Sequence, residues 1–338
     1  MNDNIEKLAL WAVKHTDFSD AVINDLTSID TRPELKTRLE EVRIARQKLE
    51  ALKRLPVIEQ RTQAWYDIRK SLLTASDLGQ SLGRGKFGTR NDLLNKKSGL
   101  VQDNFNGNIA PLKWGTMFEP VALDCYRNRN LDIPVHEFGL LPHPTLKVFG
   151  ASPDGITETG VMVELKCPWR RKIEHDGEVP DQYMLQIQGQ LEVTDLEDCD
   201  YVECKLAAYS DEEEYIANVG DDEKRVDHGI VLEYDGLQYD YSPPYLTCTE
   251  AIWWYENFVE KKTDNEPNKT LLKVHYWKLM EIQIIRVKRD KPLFLELQPA
   301  IVKFWEDVEK LRESGEPIVK AKRVKKETKP VFMFDDDE

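Results

Sequence analysis

The alternation of apolar and polar positions divides the chain into stretches of different period. Residues 4–55 place apolar side chains at helical spacing, first in IEKLALWAVKH and again in the charged run ELKTRLEEVRIARQKLEALKR. Pro56 and the turn after it end this arm, which is expected to pack on the core or on a partner. From Gln60 the texture changes. RTQAWYDIRKSLLTASDLGQSLG predicts a helix, a break at Leu73–Thr74 and a second helix capped near Thr74 or Ser76. GRGKFG predicts a flexible basic loop, and residues 114–128 (WGTMFEPVALDCYRN) a helix with Glu119 in its first turns.

Short strands follow at 138–142 (FGLLP), 148–156 (VFGASPDGI) and 161–167 (VMVELKC). An amphipathic helix spans 181–194 and a strand 199–209. The acid-rich segment 211–223 predicts a solvated loop. Beyond it, GIVLEYDG predicts a strand, EAIWWYENFVEKK a helix, HYWKLMEIQIIRVKR a helix passing into a strand, and LFLELQPAIVKFWEDVEKLRE a final helix. The basic run KAKRVKKETK and the closing PVFMFDDDE predict a disordered tail. A chain of 338 residues has room for one large α/β domain with an extension, or for two domains.

Composition narrows the class. A hydrophobic fraction of 41% with eight Trp and twelve Tyr supports a real core. No apolar run approaches the roughly 18 residues of a membrane span, and the first residues lack an apolar signal core, so an intracellular protein is expected. The five cysteines form no CxxC pair, which disfavours a zinc ribbon or an iron–sulfur cluster. The six histidines show no HxH or HExxH spacing. Net charge is −14, but seven acids lie in 211–223 and four in 335–338, and without these the remainder is about −3. The global charge therefore does not exclude a nucleic-acid partner.

Candidate chemistry centres on a hairpin. Asp154 and Glu164 flank the turn Glu158–Thr159–Gly160 and lie equidistant from Thr159, so a regular hairpin sets them opposite one another. Opposed residues have Cβ atoms roughly 4.5–5.5 Å apart, where like charges repel unless a divalent cation sits between them. Alternation along VMVELK puts Glu164 and Lys166 on one face with Met162, and Val161, Val163 and Leu165 on the other. A lysine so placed can orient or deprotonate an attacking water beside a cation that polarises phosphate. Gln186 and Gln190 share a helix face at i, i+4, with Tyr183 one turn before Gln186, and Glu119 is a further carboxylate. Each piece alone is commonplace; the ordered set E119…SPDG…ELKCP…YxxQxQ is specific.

This set resembles the YqaJ / phage-lambda-type exonuclease (viral recombinase) family of the PD-(D/E)xK nuclease superfamily. WYDIRKSLLTASD (65–77), WGTMFEPVA (114–122), GASPDGI (150–156), VELKCP (163–168) and YMLQIQGQLEV (183–193) carry the likeness in order, over about residues 65–209. The resemblance implies a restriction-endonuclease-like core: a mixed central sheet flanked by helices. It implies Mg²⁺ (or Mn²⁺) at Asp154, Glu164 and the Leu165 carbonyl, with Glu119 lining the site as a further metal contact. Lys166 would activate or orient water, Gln186 would support it, and Tyr183, Gln188 and Gln190 would assist. Arg69, Ser76 and Ser152 would bind a 5′-phosphate, joined by Arg170, Arg171 or Lys172. Two departures limit the carry-over. Ser71-Leu72-Leu73-Thr74 stands where the family has a glycine before its ITAS-like segment, which weakens the 5′-phosphate assignment relative to the metal site. The ring-shaped trimer of well-known members has no signature in this chain.

The implied plan is a helical N-terminal extension at 1–58, a YqaJ-like nuclease domain at 59–315 and a basic-then-acidic tail at 316–338. The domain comprises a motif core (65–209) and a C-terminal elaboration (225–315). The implied activity is Mg²⁺-dependent hydrolysis of double-stranded DNA from the 5′ end in viral recombination, replication or repair. It would leave a single strand for an annealing protein, in the host nucleus or cytoplasm. The alternatives are a structure-selective endonuclease of the same fold and a catalytically silent DNA-binding scaffold. For Trp65 and Trp114, packing is the favoured role over base stacking; Trp169 beside two arginines is open to both. The basic run 320–329 reads as a nuclear import signal, a DNA tether or a solubilising stretch.

Overall fold

A computed structural model describes residues 3–56, 58, 60–86, 88–101, 109–220, 223–265 and 270–319, with residues 3 and 260–265 as backbone. The helical arm is three helices, α1 (Asp3–His15), α2 (Asp20–Ile29) and α3 (Pro33–Lys53). Ser19 caps α2, and Pro33 starts α3 where a missing N–H costs nothing. After α4 (Gln63–Lys70) come β1 (Leu73–Thr74), a 3₁₀ turn at Ala75–Asp77, α5 (Leu78–Ser81), α6 (Arg90–Ser98) and α7 (Ala110–Arg129). Strands β2 (Val135–His136), β3 (Leu141–Pro142), β4 (Phe149–Ala151), β5 (Gly155–Thr157) and β6 (Met162–Lys166) precede α8 (Asp181–Thr194) and β7 (Asp198–Ala208). The chain continues through α9 (Glu212–Val219), β8 (His228–Tyr234), β9 (Gln238–Tyr241), α10 (Cys248–Asn265), β10 (Leu271–Lys288) and α11 (Lys291–Ser314).

Among the described residues the strands form two sheets. The larger has the order β2-β5-β6-β7-β10-β8-β9, antiparallel throughout except for the parallel β6–β7 pair; the smaller is β1-β4-β3. Helices cover both faces of the large sheet, the mixed α/β arrangement expected. Met162 and Tyr201 face a core built with α8, α5, α6, α11 and the end of α3. Val163, Leu165 and Val202 face α7 through Met117, Phe118 and Val121. The period-two alternation of β6 thus divides two cores. Glu164, on the α8 side, is 0% exposed.

Four local expectations change. Residues 148–156 are not one strand: Ser152-Pro153-Asp154 carries the chain from β4 in the small sheet to β5 in the large one. Pro153 lacks the N–H that would continue a ladder. Segment 211–223 is not all loop, because Asp211 caps α9, acids fill its first turn where the helix dipole favours them, and Tyr215 is buried with its hydroxyl 2.7 Å from His228 Nδ1. Residues 275–289 contain no helix: β10 is one long strand, paired with β8 in its first half and β7 in its second. Of 138–142, only Leu141–Pro142 is strand.

The arm packs on the core rather than standing apart. Ala45, Leu49 and Leu52 of α3 join the α8-side cluster, and Arg46 pairs with Glu158 in the β5–β6 turn at 3.0 Å. Gly160 closes that turn at φ +75, and a Cβ there would lie 2.4 Å from Ala45 Cβ, so both backbone and packing require glycine. The segment 316–319 is seated on α6, with Ile318 N–H donating to Asn95 Oδ1 at 2.8 Å; residues 320–338 lie outside the described residues. Among the described residues no helix is long and apolar enough to cross a membrane.

Candidate active site

The β5–β6 hairpin has the symmetric register, with Gly155 opposite Val163 and Ile156 opposite Met162. Continued by one step, that register sets Asp154 opposite Glu164. Asp154 Oδ2 accepts the Leu165 N–H at 2.7 Å, which ties the end of one strand to the other. Glu164 Oε1 accepts from Gln186 Nε2 at 2.7 Å and is also paired with Lys166, while Oε2 accepts from Gln190 Nε2 at 2.8 Å. The Lys166 ammonium lies 4.9 Å from the Tyr183 ring centroid. Two carboxylates, a lysine and two amides therefore converge from one hairpin and one helix.

Close approach of α8 makes this possible. Gly189 faces β4, and a Cβ there would sit 2.9 Å from the Phe149 ring, so glycine lets α8 come near enough for both amides to reach Glu164. Gln188 points elsewhere: its amide donates to the Lys288 carbonyl at 2.9 Å, and its oxygen accepts the Asp290 N–H at 2.7 Å. It fastens α8 to the β10–α11 junction and does not join the acids.

Burial pushes the Asp154 carboxyl well above the usual carboxylate range, and the nearby Glu164 and Glu119 push it further. Burial pulls the Lys166 ammonium down, but Glu164 and Asp154 outweigh this and raise it. Glu119, from α7, is raised by burial against the opposing pull of Arg61, whose guanidinium is 2.9 Å from Glu119 Oε2, and of Lys166. The site carries more negative charge than it can ionise comfortably, and Lys166 and Arg61 offset part of it.

Among the described residues no three His, Cys, Asp or Glu side chains form a ready metal cage. That is compatible with Mg²⁺, which binds through one or two carboxylates and completes its shell with water and substrate phosphate. Two opposed carboxylates with hard oxygen donors fit such an ion. A buried oxygen, Gln190 Oε1, also has no hydrogen-bond partner among the described residues.

Beside the acids, Trp65 Nε1–H donates to Ser152 Oγ at 3.2 Å, and Arg69 stacks over Trp65 with Cζ 4.3 Å from the ring centroid. Arg69 Nη2 donates to Ser76 Oγ at 3.2 Å. The half-buried Trp65 thus gathers Arg69 and Ser152, and Ser76 joins through Arg69. Arg69 is held from below: Lys97, 4% exposed, donates to the Arg69 carbonyl at 2.7 Å and pairs with Asp77 at 2.8 Å. Nothing in the sequence distinguished Lys97 from a solvated lysine of α6. Arg61, at φ +66 before α4, was likewise missed. The basic trio after β6 is not drawn in: Arg170 stacks on Trp169 at 4.0 Å, Arg171 is committed to Glu203, and Lys172 is exposed.

Residues 64–197 match the family model described as a YqaJ-like viral recombinase domain. An uncharacterized protein of Acanthamoeba polyphaga mimivirus is 24% identical over 317 residues, covering 81% of this chain and 56% of its own length. A protein of African swine fever virus is 29% identical over 167 residues, 39% of this chain and 46% of the relative. The chain spans about half the length of these curated relatives. Among solved structures, an alkaline exonuclease from Laribacter hongkongensis aligns over 75% of this chain and 95% of its own at 21% identity and TM-score 0.46. A phage-related exonuclease from Haemophilus somnus aligns over 72% and 96% at 11% identity and TM-score 0.40.

Proposed function

We propose, from the match of residues 64–197 to the YqaJ-like viral recombinase domain, that the protein is a Mg²⁺- (or Mn²⁺-) dependent exonuclease that digests double-stranded DNA from the 5′ end. The observation that carries the reading is the grip on Glu164, a fully buried carboxylate bonded by Lys166, Gln186 and Gln190 with Asp154 tied to the same strand. Burying that charge is costly, and an ion pair and two amides on a carboxylate opposed by a second one suit a site that handles a cation and an anion.

In this reading Asp154, Glu164 and the Leu165 carbonyl would hold the ion, and Glu119 would be a further carboxylate of the site. When bound, it polarises the scissile phosphate and stabilises the leaving oxygen. Lys166 orients the attacking water from the face it shares with Glu164. Gln186 and Gln190 fix the Glu164 carboxylate, and Tyr183 confines the Lys166 ammonium. Arg69, with Ser76 and Ser152, receives the 5′-phosphate, a task suited to a guanidinium that bonds a hydroxyl and lies over an indole face. The exposed Arg170 and Lys172 contact the DNA backbone. The strand left behind passes to an annealing protein during viral recombination, and a homotrimer would encircle the duplex.

The test is digestion of a linear duplex carrying a 5′-phosphate, with Mg²⁺ or EDTA, by wild type and Lys166→Ala. Nucleotides lost from the 5′ strand, with the loss abolished by EDTA and by the substitution, are the expected result. Failure of well-folded wild type to shorten linear DNA would sink the reading.

A further inference from the structure

The chain that leads from the arm into α4 passes beside the acidic site, and its course is pinned on both sides of Arg61. Leu140 N–H donates to the Ile58 carbonyl at 3.2 Å, and a Cβ on Gly139 would overlap that carbonyl, so glycine lets the two segments lie together. The Gln60 amide donates to the Phe138 carbonyl at 3.0 Å and to the Pro153 carbonyl at 3.4 Å, one residue before Asp154. Thr62 then caps α4 through the Trp65 N–H. Between these anchors Arg61 has φ +66, a left-handed backbone that arginine seldom adopts.

The guanidinium so delivered meets α7, where Nη2 lies 2.9 Å from Glu119 Oε2. That stretch of α7 is itself held, because the Tyr241 hydroxyl donates to the Met117 carbonyl at 3.0 Å. Both side chains of the pair are partly exposed, and an ion pair in that setting contributes little stability, while the left-handed backbone costs some. Stability therefore does not account for the arrangement. Its effect on Glu119 does. Asp154 and Glu164 are fastened by the hairpin and by α8. Glu119 is fastened by Arg61, which precedes the residues 64–197 that match the family model.

We infer that Arg61 is a positioning residue acting through Glu119: it fixes that carboxylate, offsets its charge and so sets how firmly the site holds a divalent cation. The inference deepens the Mg²⁺ reading of the site and rests on it. A guanidinium on a carboxylate occupies one of its oxygens and puts a positive charge beside the ion, so the two cations oppose each other. Arg61 thereby keeps the ion more loosely bound than the three acids alone would hold it.

The experiment measures Mn²⁺ binding by the DNA-free protein from the electron paramagnetic resonance signal of free Mn²⁺. Wild type, Arg61→Gly, Arg61→Gln, Glu119→Gln and the Arg61→Gly/Glu119→Gln double variant are compared after thermal melts establish folding. Glycine adopts a positive φ freely, so Arg61→Gly removes the guanidinium and keeps the turn, while Arg61→Gln keeps most of the side-chain stem. Both Arg61 variants are expected to tighten Mn²⁺ binding about fivefold, and Glu119→Gln to weaken it, with the double variant binding as Glu119→Gln does. Unchanged or weaker binding by the Arg61 variants would overturn the inference. The same tightening in the Glu119→Gln background would also overturn it, because Arg61 would then act on the ion without Glu119. If the Arg61 variants bind Mn²⁺ like wild type while wild type digests linear duplex, the Arg61 inference falls and the exonuclease reading stands. If the tightening appears and depends on Glu119 yet no linear duplex is shortened, the exonuclease reading falls and the role of Arg61 remains.

Discussion

The acidic hairpin and the basic corner next to it are built in opposite ways. The hairpin site is nearly contiguous: Asp154, Glu164 and Lys166 lie within one turn-and-strand unit, and Gln186 and Gln190 follow on the next helix. Its central acid is fully buried and bonded on both oxygens. The basic corner is gathered from α4, the turn after β1, the end of α6, the β4–β5 link and α11, and Arg312 of α11 donates to the Lys97 carbonyl at 2.8 Å. Local geometry fixes the first, and long-range packing fixes the second. The first should therefore govern the chemical step, and the second should govern which DNA end is accepted.

The strongest way to break this division is Glu164→Gln. It removes the charge opposite Asp154 and strands Lys166, and the single-turnover digestion rate is expected to fall about 10²–10³-fold on every DNA end. A loss confined to one type of end would refute the division. Arg69→Gln is expected to act selectively. The rate on 5′-phosphorylated duplex should fall about tenfold or more, the worth of a charged hydrogen bond, with 5′-hydroxyl duplex little affected. Equal losses on both ends would show that Arg69 serves the chemistry instead.

The smallest effect concerns stability. Burial raises Asp77, but Lys97 and Arg69 outweigh it and lower its carboxyl from 3.8 to about 2. A depressed carboxylate contributes stability that is full above the unfolded pKa and is lost as pH falls from about 4 to 2, here about 2 kcal/mol. Burial costs Lys97 more than Asp77 returns, so its ammonium stays below the usual range. The pair is kept for position more than for net stability. Asp77→Asn should flatten the acid limb of a urea-denaturation series between those pH values and loosen Arg69. An unchanged acid limb would count against the ion pair as its support.

The sequence by itself determined the features that depend on near neighbours. Thr159 as the centre of the hairpin follows from residue count alone, and the two-residue period of β6 divides its side chains between two cores whatever packs there. The i, i+4 spacing of Gln186 and Gln190 likewise fixes their common helix face, and both reach Glu164. Tertiary structure decided the rest. Gln188 lies about 200° round the helix from Gln186 by the same period, and tertiary structure decided only what it meets there, the Lys288 carbonyl. Residues 225–315, the C-terminal elaboration of the motif core, supply β10 between β7 and β8, inside the main sheet. No period could announce this, since β10 draws its stability from partners on both sides rather than from its own propensity. Lys97 and Arg61 were invisible for the same reason: a charged side chain carries no mark of whether it will face water or a distant carboxylate. Only the fold brings Asp77 within 2.8 Å of the one and Glu119 within 2.9 Å of the other, and only burial makes those distances matter.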